Sequence, residues 1–379
     1  MNILMLHGSA GLYGASKIML QVIDVCLQDG HQVIVVLPED GLLVDELKKR
    51  GVKVNIFPLG VLRRQYFNIA GLFNRFSALT NAYFKIAKIL RAEQIDLVYS
   101  NTSAVMIGAA VAKIKGVKHI WHLHELIESP KILAKFIGWA LKSFSDRTIA
   151  VSNAVRNYWN QVNPEQPDKI LLIHNGIEGE KFQEGNRKKI RQELALKDNE
   201  LLLGMVGRVH KMKNQSYFLD VAHEIAKNAS NIKYLMVGDV YPGQEYLYEE
   251  INQQIEALGL NEDIIQLKFR RDINDIMAAM DVFILPSVWD PFPTVILEAM
   301  HAKRTVVATK QGGAVEMLEE NAGILIPLGH PQQAAEQILP LLQNKELRTE
   351  LSLNGYKRVN EVFTIEQFNK NWSALLKSL

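Results

Sequence analysis

Leu201-Leu202-Leu203-Gly204-Met205-Val206-Gly207-Arg208-Val209-His210-Lys211-Met212-Lys213-Asn214 carries the decisive local signal in this chain. An apolar strand pattern ends on a glycine, and a cationic loop then leads into a helical pattern. Arg208 and Lys213 flank the point where that helix begins. A guanidinium and an ammonium converging near a helix N-terminus suit a phosphate or diphosphate, because charge-assisted hydrogen bonds and the helix dipole act in the same sense. Taken alone, the pair is also what two solvated surface cations look like.

The same strand-then-helix unit recurs throughout. Ile3–Leu6, Gln32–Leu37, Val52–Phe57, Leu97–Ser100, His119–His122, Thr148–Val151 and Ile170–Ile173 read as buried strands, separated by helices such as Ala15–Gln28, Ile69–Leu90 and Val105–Lys115. Leu201–Val206, Lys233–Val237, Ile264–Leu267, Val282–Leu285, Thr305–Ala308 and Gly323–Ile326 form a second series. Strands alternating with helices imply parallel βαβ units and doubly wound sheets. Both series together exceed one such sheet, so the pattern predicts two Rossmann-like α/β domains, residues 1–178 and 179–363, with the polar segment 176–199 as the linker. In such sheets ligands bind outside the strand C-termini, near helix N-termini, so the chemistry belongs in loops that follow strands.

Composition narrows the class. The chain has 379 residues, of which 48% are hydrophobic and 22% charged, which excludes a disordered or collagen-like protein. Cys26 is the only cysteine, so a disulfide framework and a thiolate metal cluster are excluded, and its apolar helical setting reads as packing. Met1–Leu6 reads as a first strand rather than a signal peptide, and no apolar run reaches the roughly 18 residues of a membrane span. The expectation is a cytoplasmic chain.

A second chemical stretch is Leu285-Pro286-Ser287-Val288-Trp289-Asp290-Pro291-Phe292-Pro293-Thr294-Val295-Ile296-Leu297-Glu298-Ala299-Met300. Here a strand ends at Pro286 and a helix begins near Thr294, with Pro293 tolerated at its start because the missing N–H would be unsatisfied there. The N–H groups of Thr294 and Val295 are then available to an anion. Glu298, one turn inside, suits a pair of vicinal sugar hydroxyls, and Asp290 completes an acidic pair.

Together these pieces resemble the family-4 glycosyltransferases of the GT-B fold, along nearly the whole chain. His7-Gly8-Ser9-Ala10-Gly11-Leu12-Tyr13-Gly14-Ala15 is similar to the family's N-terminal glycine loop, and Trp121-His122-Leu123-His124-Glu125 to the strand end bearing its active-site histidine. Ala150-Val151-Ser152-Asn153-Ala154, Ile173-His174-Asn175-Gly176-Ile177 and Gly312-Gly313-Ala314-Val315-Glu316 match further landmarks, in the family's order.

The resemblance implies a retaining hexosyltransferase that moves a sugar from a UDP- or GDP-linked donor to a glycan or lipid-linked acceptor. It implies that Arg208 and Lys213 bind the diphosphate, Glu298 the ribose, and Asp290 the donor sugar. The amides of Phe292, Pro293, Thr294 and Val295 assist the diphosphate or sugar. His124 lies at the sugar from the opposite face of a cleft, and Gly11 and Gly14 let the N-terminal loop approach the donor. A C-terminal helix, residues 364–379, crosses back to the first domain, and the cleft closes on donor binding. No Asp-x-Asp sequence occurs, and the expectation is no cofactor and no metal, with side-chain cations in the metal's electrostatic role. His119, His122 and His124 do not converge as ligands, because strand alternation turns His119 away from His122. Asp290 stands where the family most often has Glu, Tyr13 where a second glycine is usual, Ser16 where Glu is common, and Lys268 where a glycine often lies near the nucleobase.

The net charge of +2 hides an asymmetry: residues 1–176 sum to +7 and residues 177–379 to −5. Residues 47–92 hold ten bases and no acid: Lys48, Lys49, Arg50, Lys53, Arg63, Arg64, Arg75, Lys85, Lys88 and Arg91. Tyr66, Phe67, Phe73, Phe76, Tyr83 and Phe84 are interleaved with them. Lys131, Lys135 and Lys142 share one face of an otherwise apolar helical pattern, which fits either a buried helix with one solvated stripe or an interfacial helix on anionic lipid. A basic first domain suits an anionic or lipid-linked acceptor, peripheral placement on the inner face of a membrane, and a role in building a cell-surface polysaccharide. No nucleic-acid module is present, so nucleic acid is not an expected partner. Two other function classes remain at this point, a nucleotide-sugar epimerase of the same architecture and a non-catalytic sugar-binding protein.

Overall fold

A computed structural model describes residues 1–61, 69–127, 129–162 and 169–379, with side chains from 77 onward in the helix that begins at residue 69. Arg63, Arg64, Tyr66 and Phe67, and the side chains of Phe73, Arg75 and Phe76, lie outside the described residues. The chain divides into two compact units, Met1–Asn175 with Glu366–Leu379, and Gly176–Ile365.

The first unit runs β1 (Asn2–His7), α1 (Gly14–Gln28), β2 (Gln32–Leu37), α2 (Leu42–Lys49), β3 (Lys53–Ile56), α3 (Ile69–Ala92) and β4 (Leu97–Asn101). It continues with α4 (Met106–Lys115), β5 (Lys118–Leu123), α5 (Lys131–Phe144), β6 (Arg147–Ala150), α6 (Asn153–Val162) and β7 (Ile170–Leu172). The second unit begins with α7 (Glu180–Gln183), α8 (Arg187–Glu193), β8 (Leu201–Val206), α9 (Gln215–Ala226), β9 (Ile232–Val237), α10 (Tyr246–Ala257) and β10 (Ile264–Leu267). After α11 (Ile273–Ala279) come β11 (Val282–Leu285), α12 (Thr294–His301), β12 (Thr305–Thr309), α13 (Ala314–Met317), β13 (Ile324–Ile326), α14 (Pro331–Gln343) and α15 (Lys345–Val362). The last helix, α16 (Ile365–Lys377), returns the chain to the first unit.

Both sheets are parallel. The first has the order β3-β2-β1-β4-β5-β6-β7 and the second β10-β9-β8-β11-β12-β13. Strands buried on both faces need continuous apolar runs, and β1, β2 and β12 are made of them. In each sheet the winding direction reverses once, between β1 and β4 and between β8 and β11. Loops leaving adjacent strands part at such a reversal and open a crevice at the strand C-termini. The architecture is the expected pair of doubly wound α/β units.

Trp121, Trp159 and Trp372 are fully buried. Trp372, from α16, lies edge-on to Tyr99 of β4 and His122 of β5, with ring centroids 5.9 and 5.0 Å apart. The C-terminal helix is thus part of the first unit's core.

The structure shows which side of α5 is buried. Its buried side is Ala134, Ile137, Gly138, Ala140 and Leu141, small or aliphatic residues that let the helix lie close to its neighbours. Ile132, Phe136 and Trp139 are 82%, 49% and 50% exposed. A buried helix with a single solvated stripe is therefore excluded. The exposed surface is an apolar ridge, and at about 100° per residue Lys131, Lys135 and Lys142 fall along one border of it. Among the described residues no helix is long and apolar enough to cross a membrane.

Several bases of segment 47–92 are spent on local pairs. Lys49 and Arg50 meet Glu46 at 2.7 and 3.1 Å, Arg50 also meets Asp24 at 2.7 Å, and Lys53 meets Glu93 at 2.6 Å. The partners all come from outside the acid-free run, Glu46 and Glu93 from its two borders and Asp24 from further away, a pairing the linear count does not show.

Candidate functional site

In the second unit the loops after β8 and β11 leave the strands on either side of the reversal. Val288 N–H donates to the Met212 carbonyl at 2.9 Å, tying one loop to the other. Across that tie Lys213 Nζ donates to Asp290 Oδ2 at 2.5 Å, with the side chains only 27% and 15% exposed. Arg208 is on the same loop as Lys213, and its guanidinium carbon lies 3.7 Å from the centroid of the Tyr241 ring. A cation–π contact of this kind restrains the orientation of a guanidinium. Gln215 pins the loop from below, donating to the Arg208 carbonyl at 3.0 Å and accepting from His210 N–H at 3.3 Å.

Backbone packing fixes both loops. Gly238, following β9, has φ +155°, and a Cβ there would sit 1.9 Å from the Gly207 carbonyl oxygen. Gly312 has φ +57°, and a Cβ there would sit 2.0 Å from the Asp290 carbonyl oxygen. Gly313 N–H donates to that same carbonyl at 2.9 Å. The Gly312-Gly313 pair therefore braces the loop that carries Asp290.

At the start of α12 the backbone corrects part of the sequence reading. Pro293 has no N–H, and Phe292 N–H donates to Asp290 Oδ1 at 3.2 Å. Two of the four expected amides are thus unavailable to a ligand here. The phenyl ring of Phe292 packs edge-on against Phe363 at 5.8 Å, inside the core. Thr294 and Val295 are the first helical residues, where α-helix geometry leaves N–H groups without an intrahelical acceptor, and no side chain caps them. They and Glu298 lie on the half-exposed face of α12, opposite buried Ile296, Leu297, Ala299 and Met300.

Beside these loops is a cavity of about 340 Å³ lined by Gly207, Gly238, Gln215, Tyr248, Asn252, Gln266 and Lys268 among others. It lies at the C-terminal ends of β8, β9 and β10. Tyr248 donates to Asp239 Oδ1, and this hydrogen bond holds the Asp239 carboxyl below its usual range.

In the first unit His7, Asn101 and His122 stand in neighbouring registers of β1, β4 and β5. His124 follows two residues on, half-buried, its Nε2 2.8 Å from Asn101 Oδ1. Asn101 Nδ2 meets the Ala15 carbonyl and His7 Nδ1, both at 3.0 Å. His7 Nε2 meets Ser16 Oγ at 3.0 Å, and Tyr99 Oη meets His122 Nδ1 at 2.6 Å. Burial pushes His7 down to about 4 and His124 to about 3, the latter with a contribution from His7; His122 is held well below the ordinary imidazole range. These imidazoles are neutral at pH 7. Glu125 accepts from Ser103 N–H at 2.6 Å and Ser103 Oγ–H at 2.5 Å, which joins the loops after β4 and β5. Its carboxyl is nevertheless raised above the usual range, because burial outweighs those bonds.

His119 meets Ser145 Oγ at 3.2 Å and Ser100 Oγ at 3.0 Å, away from His122. Gly11 faces the Tyr13 ring, 2.5 Å from where a Cβ would be, whereas a Cβ on Gly14 would have nothing within 4 Å among the described residues. The N-terminal loop therefore folds over its own tyrosine at Gly11 and is open at Gly14.

Sequence reasoning missed Asn101, Tyr99 and Tyr241. Asn101 was legible in principle, as a polar residue closing an apolar strand beside the reversal. Tyr241 carried no signal of its own.

Comparison with known proteins agrees with this architecture. A family model described as Glycosyltransferase Family 4 matches residues 13–181, and one described as Glycosyl transferases group 1 matches residues 186–358. The Escherichia coli UDP-Gal:alpha-D-GlcNAc-diphosphoundecaprenol alpha-1,3-galactosyltransferase is 27% identical over 367 residues, covering 93% of this chain and 91% of that protein. The Staphylococcus aureus capsular polysaccharide biosynthesis glycosyltransferase CapM is 26% identical over 243 residues, covering 60% and 62%. The crystal structure of Anabaena HepE in complex with UDP covers 100% of both chains with a TM-score of 0.87 and 25% identity. With both units matched in order, the chain belongs to the family-4 glycosyltransferases of the GT-B fold, enzymes that transfer a sugar from a nucleotide sugar to an acceptor.

Proposed function

We propose that this chain transfers a hexose from a UDP-sugar to a hydroxyl of a lipid-linked or cell-surface glycan, with retention of anomeric configuration and without a metal. The observation that carries the reading is the cationic crevice of the second unit, where Arg208 and Lys213 lie with the two amides at the start of α12 and with Glu298 on the same helix. UDP is favoured over GDP because HepE is named as a complex with UDP and with UDP-glucose, and the E. coli relative as a UDP-Gal enzyme.

In this reading Arg208, Lys213 and the N–H groups of Thr294 and Val295 receive the diphosphate. As the bond from the anomeric carbon to the diphosphate oxygen breaks, negative charge grows on that oxygen, and the two cations stabilise it, each worth about 10²–10³ in rate. Glu298 accepts the ribose hydroxyls. Asp290 takes a donor sugar hydroxyl and also holds Lys213. His124 of the first unit, neutral, contacts a sugar hydroxyl, while Gly11 and Gly14 belong to the loop that approaches the donor. The bond that forms joins the acceptor oxygen to the anomeric carbon, and the acceptor's proton leaves with the nucleotide.

The first unit serves the acceptor and rests on anionic lipid through α5. The ridge of Ile132, Phe136 and Trp139, bordered by lysines, has the composition of an interfacial helix, an apolar face for the acyl boundary and cations for the headgroups. Ile114 on α4 and Phe84 on α3 are exposed as well. The site of action is then the cytoplasmic face of a membrane, in the assembly of a surface polysaccharide.

Incubation with UDP-galactose or UDP-glucose, a GlcNAc-diphospholipid acceptor and EDTA tests the proposal. A glycosylated lipid with an α-linkage is expected. A new sugar nucleotide formed from donor alone would mean an epimerase, and tight UDP-sugar binding with no turnover a sugar-binding protein.

A further inference from the structure

Buried polar groups whose partners can only donate or only accept fix their own proton positions. The cluster around Asn101 has that property. The Ala15 carbonyl can only accept, so the group of Asn101 that meets it at 3.0 Å is the amide nitrogen. Its other N–H then points to His7 Nδ1 at 3.0 Å, which is an acceptor, and His7 Nε2–H donates to Ser16 Oγ. The carboxamide oxygen is thereby turned to His124 Nε2 at 2.8 Å. A carboxamide oxygen accepts only, so Nε2 of His124 carries the hydrogen. Its Nδ1 is left with a lone pair and makes no hydrogen bond among the described residues. The backbone beside it is fixed as well, with His124 N–H donating to Glu125 Oε2 at 3.2 Å and the Glu125 carboxyl held by Ser103.

We propose that Asn101 is the positioning residue of the sugar site, holding His124 in the Nε2–H tautomer so that Nδ1 is presented as an acceptor to a sugar hydroxyl. The inference rests on the reading of His124 as a sugar contact and adds what that contact discriminates. A bare imidazole lone pair receives an O–H donor and repels a phosphate oxygen, so the group opposite His124 is a hydroxyl and not the diphosphate. Neutrality of the ring at pH 7, enforced by burial, is consistent with this.

Selective ¹⁵N-histidine labelling and long-range ¹H–¹⁵N correlation spectra of the full chain read the tautomers directly. The wild-type spectrum is expected to show His124 protonated at Nε2 and unprotonated at Nδ1, and His7 likewise. A wild-type His124 protonated at Nδ1 overturns the assignment without need of any variant. Asn101→Asp replaces the donor toward His7 by an acceptor while keeping the acceptor toward His124. His7 is then expected to gain a hydrogen at Nδ1 while His124 keeps its own at Nε2, a pattern that general loosening of the core would not produce. Both histidines unchanged in that variant would overturn the relay. Asn101→Leu is expected to lower kcat/KM for transfer from UDP-galactose or UDP-glucose at least about tenfold, with UDP binding within twofold of wild type. His124→Ala transferring at the wild-type rate would overturn the sugar-contact reading, even with the tautomer as stated.

Discussion

The 2.5 Å contact between Lys213 and Asp290 gives these two residues opposite expected phenotypes. Removing the cation takes away a ligand group, whereas removing the carboxylate charge leaves the cation without its counter-ion. Lys213→Ala is expected to weaken UDP binding about 10-fold to 100-fold, the scale of a hydrogen bond to a charged group. Asp290→Asn is expected to leave UDP affinity unchanged or stronger while transfer falls at least about 10-fold, as a charged hydrogen bond to the sugar is lost. Calorimetric titration with UDP, run beside a transfer assay, separates the two; parallel losses of UDP affinity would contradict the pairing. Arg208→Ala and Glu298→Ala should each cost transfer at least about 10²-fold. All four residues were legible in the sequence as types at a spacing. Their pairing was not, because Lys213 and Asp290 are 77 positions apart, on two loops that meet only through the sheet order. The unavailability of the Pro293 and Phe292 amides shows the complementary limit: proline chemistry is readable in the chain, but the bond from Phe292 to Asp290 exists only in the folded loop.

Two helices carry consequences beyond their own length. Trp372 of α16 is fully buried against Tyr99 and His122, so Trp372→Ala is expected to destabilise the first unit by about 3–5 kcal/mol, measured by denaturant unfolding. A loss under about 1 kcal/mol would show that the helix is peripheral to that core. For α5 the periodicity of lysines was plain in the sequence, but which of the remaining apolar residues pack inward was not. Small Ala134, Gly138 and Ala140 take the inner side because close helix packing requires little volume, and this turns Ile132, Phe136 and Trp139 outward. Trp139→Glu with Phe136→Glu is expected to abolish flotation with anionic vesicles while leaving UDP binding intact. Flotation unaffected by these changes, or by raised salt, would remove α5 as the lipid contact.

Across the molecule, the buried neutral histidines concentrate in one unit and set its response to acid. His7, His119 and His124 are lowered to about 4, 3 and 3 by burial, with His122 well below its usual range. Between the ordinary value near 6.5 and these lowered values the unfolded chain binds protons that the folded chain does not, so stability is full above about pH 6.5 and falls as the pH drops through that window. Each such histidine contributes at most about 1.4 kcal/mol per pH unit. Thermal unfolding at pH 7.5 and pH 5 should show a lower midpoint at pH 5, and an unchanged midpoint would mean that these imidazoles titrate normally. The alternation of apolar strands with helices is sufficient by itself to specify two doubly wound sheets, to put Arg208, Lys213, Asp290 and His124 in loops after strands, and to put Glu298 one turn into the helix that follows, because side-chain periodicity and strand length are local properties. Only the folded chain could say which strands flank each reversal, that Lys213 is bound to Asp290, that Asn101 orients His124, and that α5 turns its aromatic residues outward. Those outcomes depend on the order of strands and on how much volume each neighbour leaves, and both are set by contacts between residues distant along the chain.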